Sequence, residues 1–171
     1  MGGGDVDIVR LLLDQGAGVN IVVGDTMALM AAVWGGHADI VQLFLGRGVD
    51  VDLEVDDTTA LIAAVRGGRA DIVQLLLDQG ADVDLEVDGT TVLIAASRQG
   101  CAGIVQLLLD QGADMNFVAC RATTALIAAA GGGHADVVRL LLDRGVNMAA
   151  DDTTVLTAAV WEGHFFFFFF F

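Results

Sequence analysis

The chain has 171 residues, enough for one domain with a core or a row of small units and too few for two large domains. Eight basic residues, all Arg, stand against 23 acidic ones, and the formal charge of -15 repels nucleic-acid backbones and anionic lipid surfaces. The 55% hydrophobic fraction is spread evenly, and no apolar run approaches the roughly 20 residues that a membrane-spanning helix needs, so neither nucleic acid nor membrane is expected as a partner.

Lys, Pro and Tyr are absent, a skew that suggests repetition. Leucine triplets supply the period: Leu11-Leu12-Leu13, then Leu43-Phe44-Leu45, Leu75-Leu76-Leu77, Leu107-Leu108-Leu109 and Leu140-Leu141-Leu142, at steps of 32, 32, 32 and 33 residues. The opening "MGGGDVD" has neither a basic nor an apolar region of a secretion signal. A reducing cytosolic setting is therefore expected, with the nucleus as the alternative. Cys101 and Cys120 belong to no C-x-x-C or zinc pattern and read as incidental thiols.

In chain order, residues 1–24 read as half a unit: Gly4 sits in a turn slot and Ile8, Val9 and the first Leu triplet make a second helix with no first. Four complete units follow at 25–56, 57–88, 89–120 and 121–150. The clearest runs "TALIAAVRGGRADIVQLLLDQGADVD" from Thr59, and each unit predicts two short helices. Thr59 caps the first, whose small Ala residues admit close neighbours, and Gly68 separates it from the second. The second helix carries Ile72, Val73, Leu75, Leu76 and Leu77, has Asp71 at its positive end, and stops at Gly80, where a left-handed backbone strains no side chain. Residues 151–164 read as another half, a first helix from Thr154. Phe165 to Phe171 read as an unstructured tail, the product of a misread or truncated tract. Nine positions separate Gly145 from Thr154, against 11 from Gly80 to Thr91, which predicts a shortened link. Helices of about ten residues are marginal alone in water, so the units must stack.

The pattern resembles the ankyrin repeat, T-P-L-H-x-A-A-x-x-G-H-x-E-I-V-x-L-L-L-x-x-G-A-D-V-N. Thr59, Leu61, Ala64, Gly68, Ile72, Val73, the Leu triplet, Gly80, Ala81, Asp82 and Val83 fall in register, and the likeness extends from Gly4 to His164. It implies an all-α solenoid of stacked helix-turn-helix units joined by short hairpin-like fingers, with residues 1–164 as one ankyrin-repeat domain. The Pro slot holds Ala28, Ala60, Val92, Ala125 and Val155, and the following His slot holds Met30, Ile62, Ile94, Ile127 and Thr157, so packing must replace that histidine's hydrogen bonds. The later His survives as His37, His134 and His164, about a repeat apart, and these are expected to be structural.

No nucleophile-base set, phosphate loop or zinc signature occurs, so no catalysis and no cofactor are expected. In "DVDLEVDDTT" the acids Asp50, Asp52, Glu54 and Asp56 take the first, third, fifth and seventh places of a calcium loop. Val55 and Leu61 stand where that loop needs Gly and a bidentate Glu, and the copy from Asp82 fails in the same way. Period-two alternation there suits an extended arm. The resemblance implies a concave binding face: a row at Trp34, Arg66, Arg98, Gly131 and Trp161, and fingers carrying Leu53, Glu54, Val55, Asp57, Leu85, Glu86, Val87, Phe117 and Arg121. The expected function is a monomeric scaffold or adaptor binding a protein that bears a basic patch. Two alternatives remain at this point: an interaction fragment of a larger enzyme or channel protein, and a calcium-responsive binder.

Overall fold

The computed structural model describes residues 3–17, 25–119, 123–147 and 152–160. The chain divides into two compact units, Met1–Asp82 and Val83–Phe171. The first contains α1 (Gly3–Asp14), α2 (Asp25–Gly35), α3 (Ala38–Leu45), α4 (Ala60–Arg66) and α5 (Ala70–Asp78). Here α2 packs beside α4 as an inner layer, each forms a hairpin with the helix that follows it, and α3 lies between α1 and α5 in an outer layer. The second unit contains α6 (Val92–Gln99), α7 (Ala102–Asp110), α8 (Ala125–Gly131), α9 (Ala135–Asp143) and α10 (Asp152–Val160). In it α8 lies between α6 and α10, and α7 packs against α9. Both units are built of the stacked helix-turn-helix pairs that the resemblance implies.

The inner helices α4, α6 and α8 are buried over most of their length. All six residues from Ala60 to Val65 are inside, and the half that are Ala let neighbouring backbones approach closely. Thr59 Oγ1 accepts the Ile62 N–H at 3.3 Å, and Thr91 and Thr124 repeat this with Ile94 and Ile127 at 3.5 and 3.3 Å. Met30, Ile62 and Ile94 are buried, so apolar packing does occupy the slot from which the family's His is missing.

The outer helices are two-faced. Ile72, Val73, Leu76 and Leu77 of α5 face inward while Asp71 and Asp78 face solvent, each buried aliphatic contributing on the order of 1.5–3 kcal/mol relative to exposure. Leu75 is only half-buried, because three successive positions cannot share one face of a helix. After α5, Gly80 takes a left-handed φ of 89°, and the Gly80 and Ala81 N–H groups return to the Leu77 and Leu76 carbonyls at 2.9 and 3.1 Å.

Two of the fingers, those leading into α4 and α6, narrow to a two-residue hairpin turn. Val55 and Thr58 exchange backbone hydrogen bonds of 2.9 and 3.1 Å across Asp56 and Asp57, whose φ values are 50° and 55°. Val87 and Thr90 do the same at 3.0 Å across Asp88 and Gly89, at 48° and 67°. Two successive positive φ values define the turn whose twist matches that of its flanking arms.

The alternating acids hold backbone. Asp50 Oδ1 accepts the Asp52 N–H at 3.1 Å, and Asp52 Oδ1 accepts the Asp82 N–H, one repeat ahead, at 2.9 Å. In the second unit Asp84 Oδ1 accepts the Asp114 N–H at 2.8 Å, and Asn116 Oδ1 accepts the Asn147 N–H at 2.9 Å. A carboxylate or amide at this one slot thus ties consecutive repeats together along the base of the fingers.

Two element starts differ from the sequence reading. Helix α1 begins at Gly3, so Gly4 is helical and forms no turn; no inner helix precedes it among the described residues to demand one. Helix α10 begins at Asp152, and Thr154 lies in its first turn where a cap was expected. The Thr157 hydroxyl donates to the Thr153 carbonyl at 2.6 Å, tying the backbone ahead of Thr154 into that turn. The shortened link after Gly145 lies largely outside the described residues.

The inter-repeat bond makes Asp84 a stability position. Asp84→Ala is expected to lower the unfolding free energy by about 1 kcal/mol in urea titrations, whereas Glu86→Ala, two residues along the same finger and exposed, is expected to leave it unchanged. Equal stability of the two variants would mean that the bond contributes nothing.

Candidate partner-binding surface

In the first unit the end of the inner layer carries the two side chains that the sequence placed in one row. Trp34, the last side-chain-bearing residue of α2, is 59% exposed, although a ring of that size would ordinarily be covered. Arg66 ends α4, is also exposed, and stands at the negative end of its helix dipole. Because α2 packs directly on α4, both side chains occupy the same end of adjacent helices. In the finger leading into α4, Leu53 and Val55 are half-buried while Glu54 and Asp57 are exposed, so the alternation puts acids outward.

In the second unit Arg98 is exposed near the end of α6, and its carbonyl oxygen accepts a hydrogen bond from His134 Nε2 at 2.9 Å. A methyl group on Gly100 would collide with the His134 imidazole, and one on Gly36 in the first unit would collide with the Arg69 guanidinium. The slot that holds His or Arg therefore reaches back over the preceding inner turn, which gives His134 a structural task. Leu85 is half-buried and Glu86 exposed.

Val87 departs from its expected role. It is only 2% exposed, its backbone is fixed by the bridge to Thr90, and its side chain is turned inward, away from any partner. Phe117 is half-buried, and its neighbour Val118, which the sequence reading passed over, is 59% exposed. Arg121 and Trp161 lie outside the described residues, as does His164, and Gly131 brings no side chain to the row.

Charge is spent differently on the outer layer. Arg47 meets Asp14 at 2.6 Å in the first unit and Arg144 meets Asp110 at 3.0 Å in the second, each pair joining the ends of successive outer helices. Such exposed pairs contribute little by themselves. Arg66 and Arg98 form no ion pair among the described residues, which leaves their guanidinium groups open to an incoming molecule.

The Asp110 carboxyl is held below the ordinary carboxylate range, chiefly by hydrogen bonds from the Gln106 amide, against an opposing cost of desolvation and with Arg144 assisting. A depressed carboxyl stabilises the fold above its unfolded value, and that contribution fades as pH falls through the folded one.

Two features were in the sequence and went unread. Asp88-Gly89 is the dipeptide that most strongly favours the observed turn, and the recurrence of Asp or Asn at 52, 84 and 116 is the signal for the inter-repeat bond. Among the described residues no group of three or more His, Cys, Asp or Glu is arranged to hold a metal, and Cys101 is a free, half-buried thiol. No described helix is long and apolar enough to cross a membrane. A family model described as Ankyrin repeats (3 copies) matches residues 29–119 and 105–168. A comparison with curated proteins gives no match.

The Asp110 geometry is testable by carboxyl-carbon NMR. Gln106→Leu and Arg144→Ala are each expected to move the Asp110 titration upward, toward the ordinary carboxylate range. An unchanged titration in the Gln106 variant would mean that its amide does not hold the carboxylate.

Proposed function

Because the chain belongs to the ankyrin-repeat family, whose members are general protein–protein interaction modules, we propose that it is a non-catalytic scaffold or adaptor that captures a protein partner. The contact surface is the inner-helix row with the fingers, the concave side of such stacks. The observation that carries this reading is Trp34, a large exposed ring on a packed helix, standing beside Arg66 on the next. Trp and Arg dominate the binding energy of protein interfaces, because a rigid apolar area and a planar five-donor fork lose little on being covered.

The exposed acids Glu54, Asp57 and Glu86 favour a partner with a basic patch, flanked by the partly open apolar groups Leu53, Leu85 and Phe117. Residues 1–164 serve as the binding domain. The chain works as a monomer in the cytosol, or in the nucleus as an alternative.

Replacing Trp34 and Arg66 together by Ala is expected to leave far-ultraviolet helicity intact and to weaken partner capture by about tenfold or more, as loss of interface anchors does. Raising ionic strength should weaken capture by the unaltered chain, since exposed pairs are screened within about 8–10 Å at physiological salt. If the double variant binds normally while Arg139→Ala on the outer layer abolishes capture, the partner uses the other side.

A further inference from the structure

Two helices lack the neighbour that their counterparts have, and each is of the kind that the other lacks. In the first unit α1 is an outer helix with no inner helix before it among the described residues. Its face is bare: Ile8 and Leu12 are each 57% exposed, where Ile72 and Leu76 in the same slots of α5 are fully buried. In the second unit α10 is an inner helix with no outer helix after it among the described residues. Its Leu156 and Val160 are 67% and 77% exposed, where Leu61 and Val65 in the same slots of α4 are covered.

Beside α10 runs an apolar groove of about 550 Å³ between α8, α9 and α10, in which Leu142 and Val138 are more open than Leu77 and Val73 of α5. In a complete repeat the outer helix closes this side of the inner one, as α5 does when it packs on α4 with Ile72 and Leu76 inside. The groove therefore fits a helix with an outer-helix stripe, and α1 is such a helix with its stripe unused. Charge agrees with the fit. The groove lining holds Arg139 and His134 and no carboxylate, in a chain of formal charge -15, while α1 presents exposed Asp7 and Asp14 with Arg10 as its one base.

We propose that the chain associates head to tail, α1 of one copy seating in the groove of the next, so that two half repeats complete one repeat across two molecules. Ile8 and Leu12 of the incoming copy cover Leu142, Leu156 and Val138 of the receiving one. The two surfaces differ, so every junction leaves one of each kind free and nothing in the contact itself stops at two copies. The charge of -15 on each copy opposes the approach at long range, which keeps dilute chain in the monomeric form that captures a partner.

The test uses two variants of the 171-residue chain, with far-ultraviolet helicity as the check on folding. Ile8→Ser with Leu12→Ser spoils the helix face, and Leu142→Ser with Leu156→Ser spoils the groove. In sedimentation velocity the unaltered chain is expected to gain mass with concentration. Each variant alone is expected to need a concentration about tenfold or more higher, the loss that uncovering two aliphatic groups brings. An equimolar mixture of the two variants is expected to recover the unaltered affinity and to stop at two copies, because it joins one intact helix face to one intact groove. That recovery does not depend on the altered end of either variant keeping its shape. The proposal is overturned if the unaltered chain keeps the mass of one copy at every concentration, which leaves the groove to a foreign helix or to another part of the same chain. It is also overturned if the mixture associates no better than either variant alone.

Discussion

The whole architecture depends on each short helix burying its apolar surface on the helices of the next repeat. Helices of 7 to 12 residues do not persist alone in water, and neither α4 nor α5 has enough surface of its own to form a core. The inner helix meets this by being apolar all round and rich in Ala, so that it is sandwiched. The outer helix meets it with a stripe of Ile72, Val73, Leu76 and Leu77 whose opposite face stays in water. Wherever a neighbour is missing among the described residues, the same residue types change state: Ile8 and Leu12 on α1 are exposed although their counterparts Ile72 and Leu76 are buried. Exposure in this chain reports position in the stack more than residue identity.

Polar groups supplement that burial without replacing it. The caps at Thr59, Thr91 and Thr124 fix where inner helices begin, and the Asp52, Asp84 and Asn116 side chains fix the spacing from one repeat to the next. Seen this way, part of the formal charge of -15 is the by-product of choosing carboxylates as backbone acceptors, where a charged acceptor makes the stronger bond. Other acids face water, among them Glu54, Asp57 and Glu86 on the fingers and Asp71 and Asp136 on the outer helices. Acids that hold backbone and acids that face water are thus interleaved along the sequence, two residues apart.

The fold was legible because its signal is repeated. A period of 32 or 33 residues, a Thr ahead of an Ala-rich run and a Gly after each Leu triplet each recur several times, so a chance match at one repeat is corrected by the others. Trp34, Arg66 and Arg98 are exposed, because each lies at the end of an inner helix, which has one open direction. The inward turn of Val87 was not legible, since alternation along an arm gives two faces but does not say which one meets the repeat behind it; a shift of one residue reverses the answer.

By itself, then, the sequence determined the repeat, the two-helix unit, the caps and the glycine stops, all of which are local properties of a few neighbouring residues. Only the tertiary structure decided what the acids do. Asp52 and Glu54 are alike in composition and two positions apart, yet the Asp52 carboxylate holds the Asp82 N–H while Glu54 faces water, and that difference exists only once residues 30 positions apart have been stacked against each other.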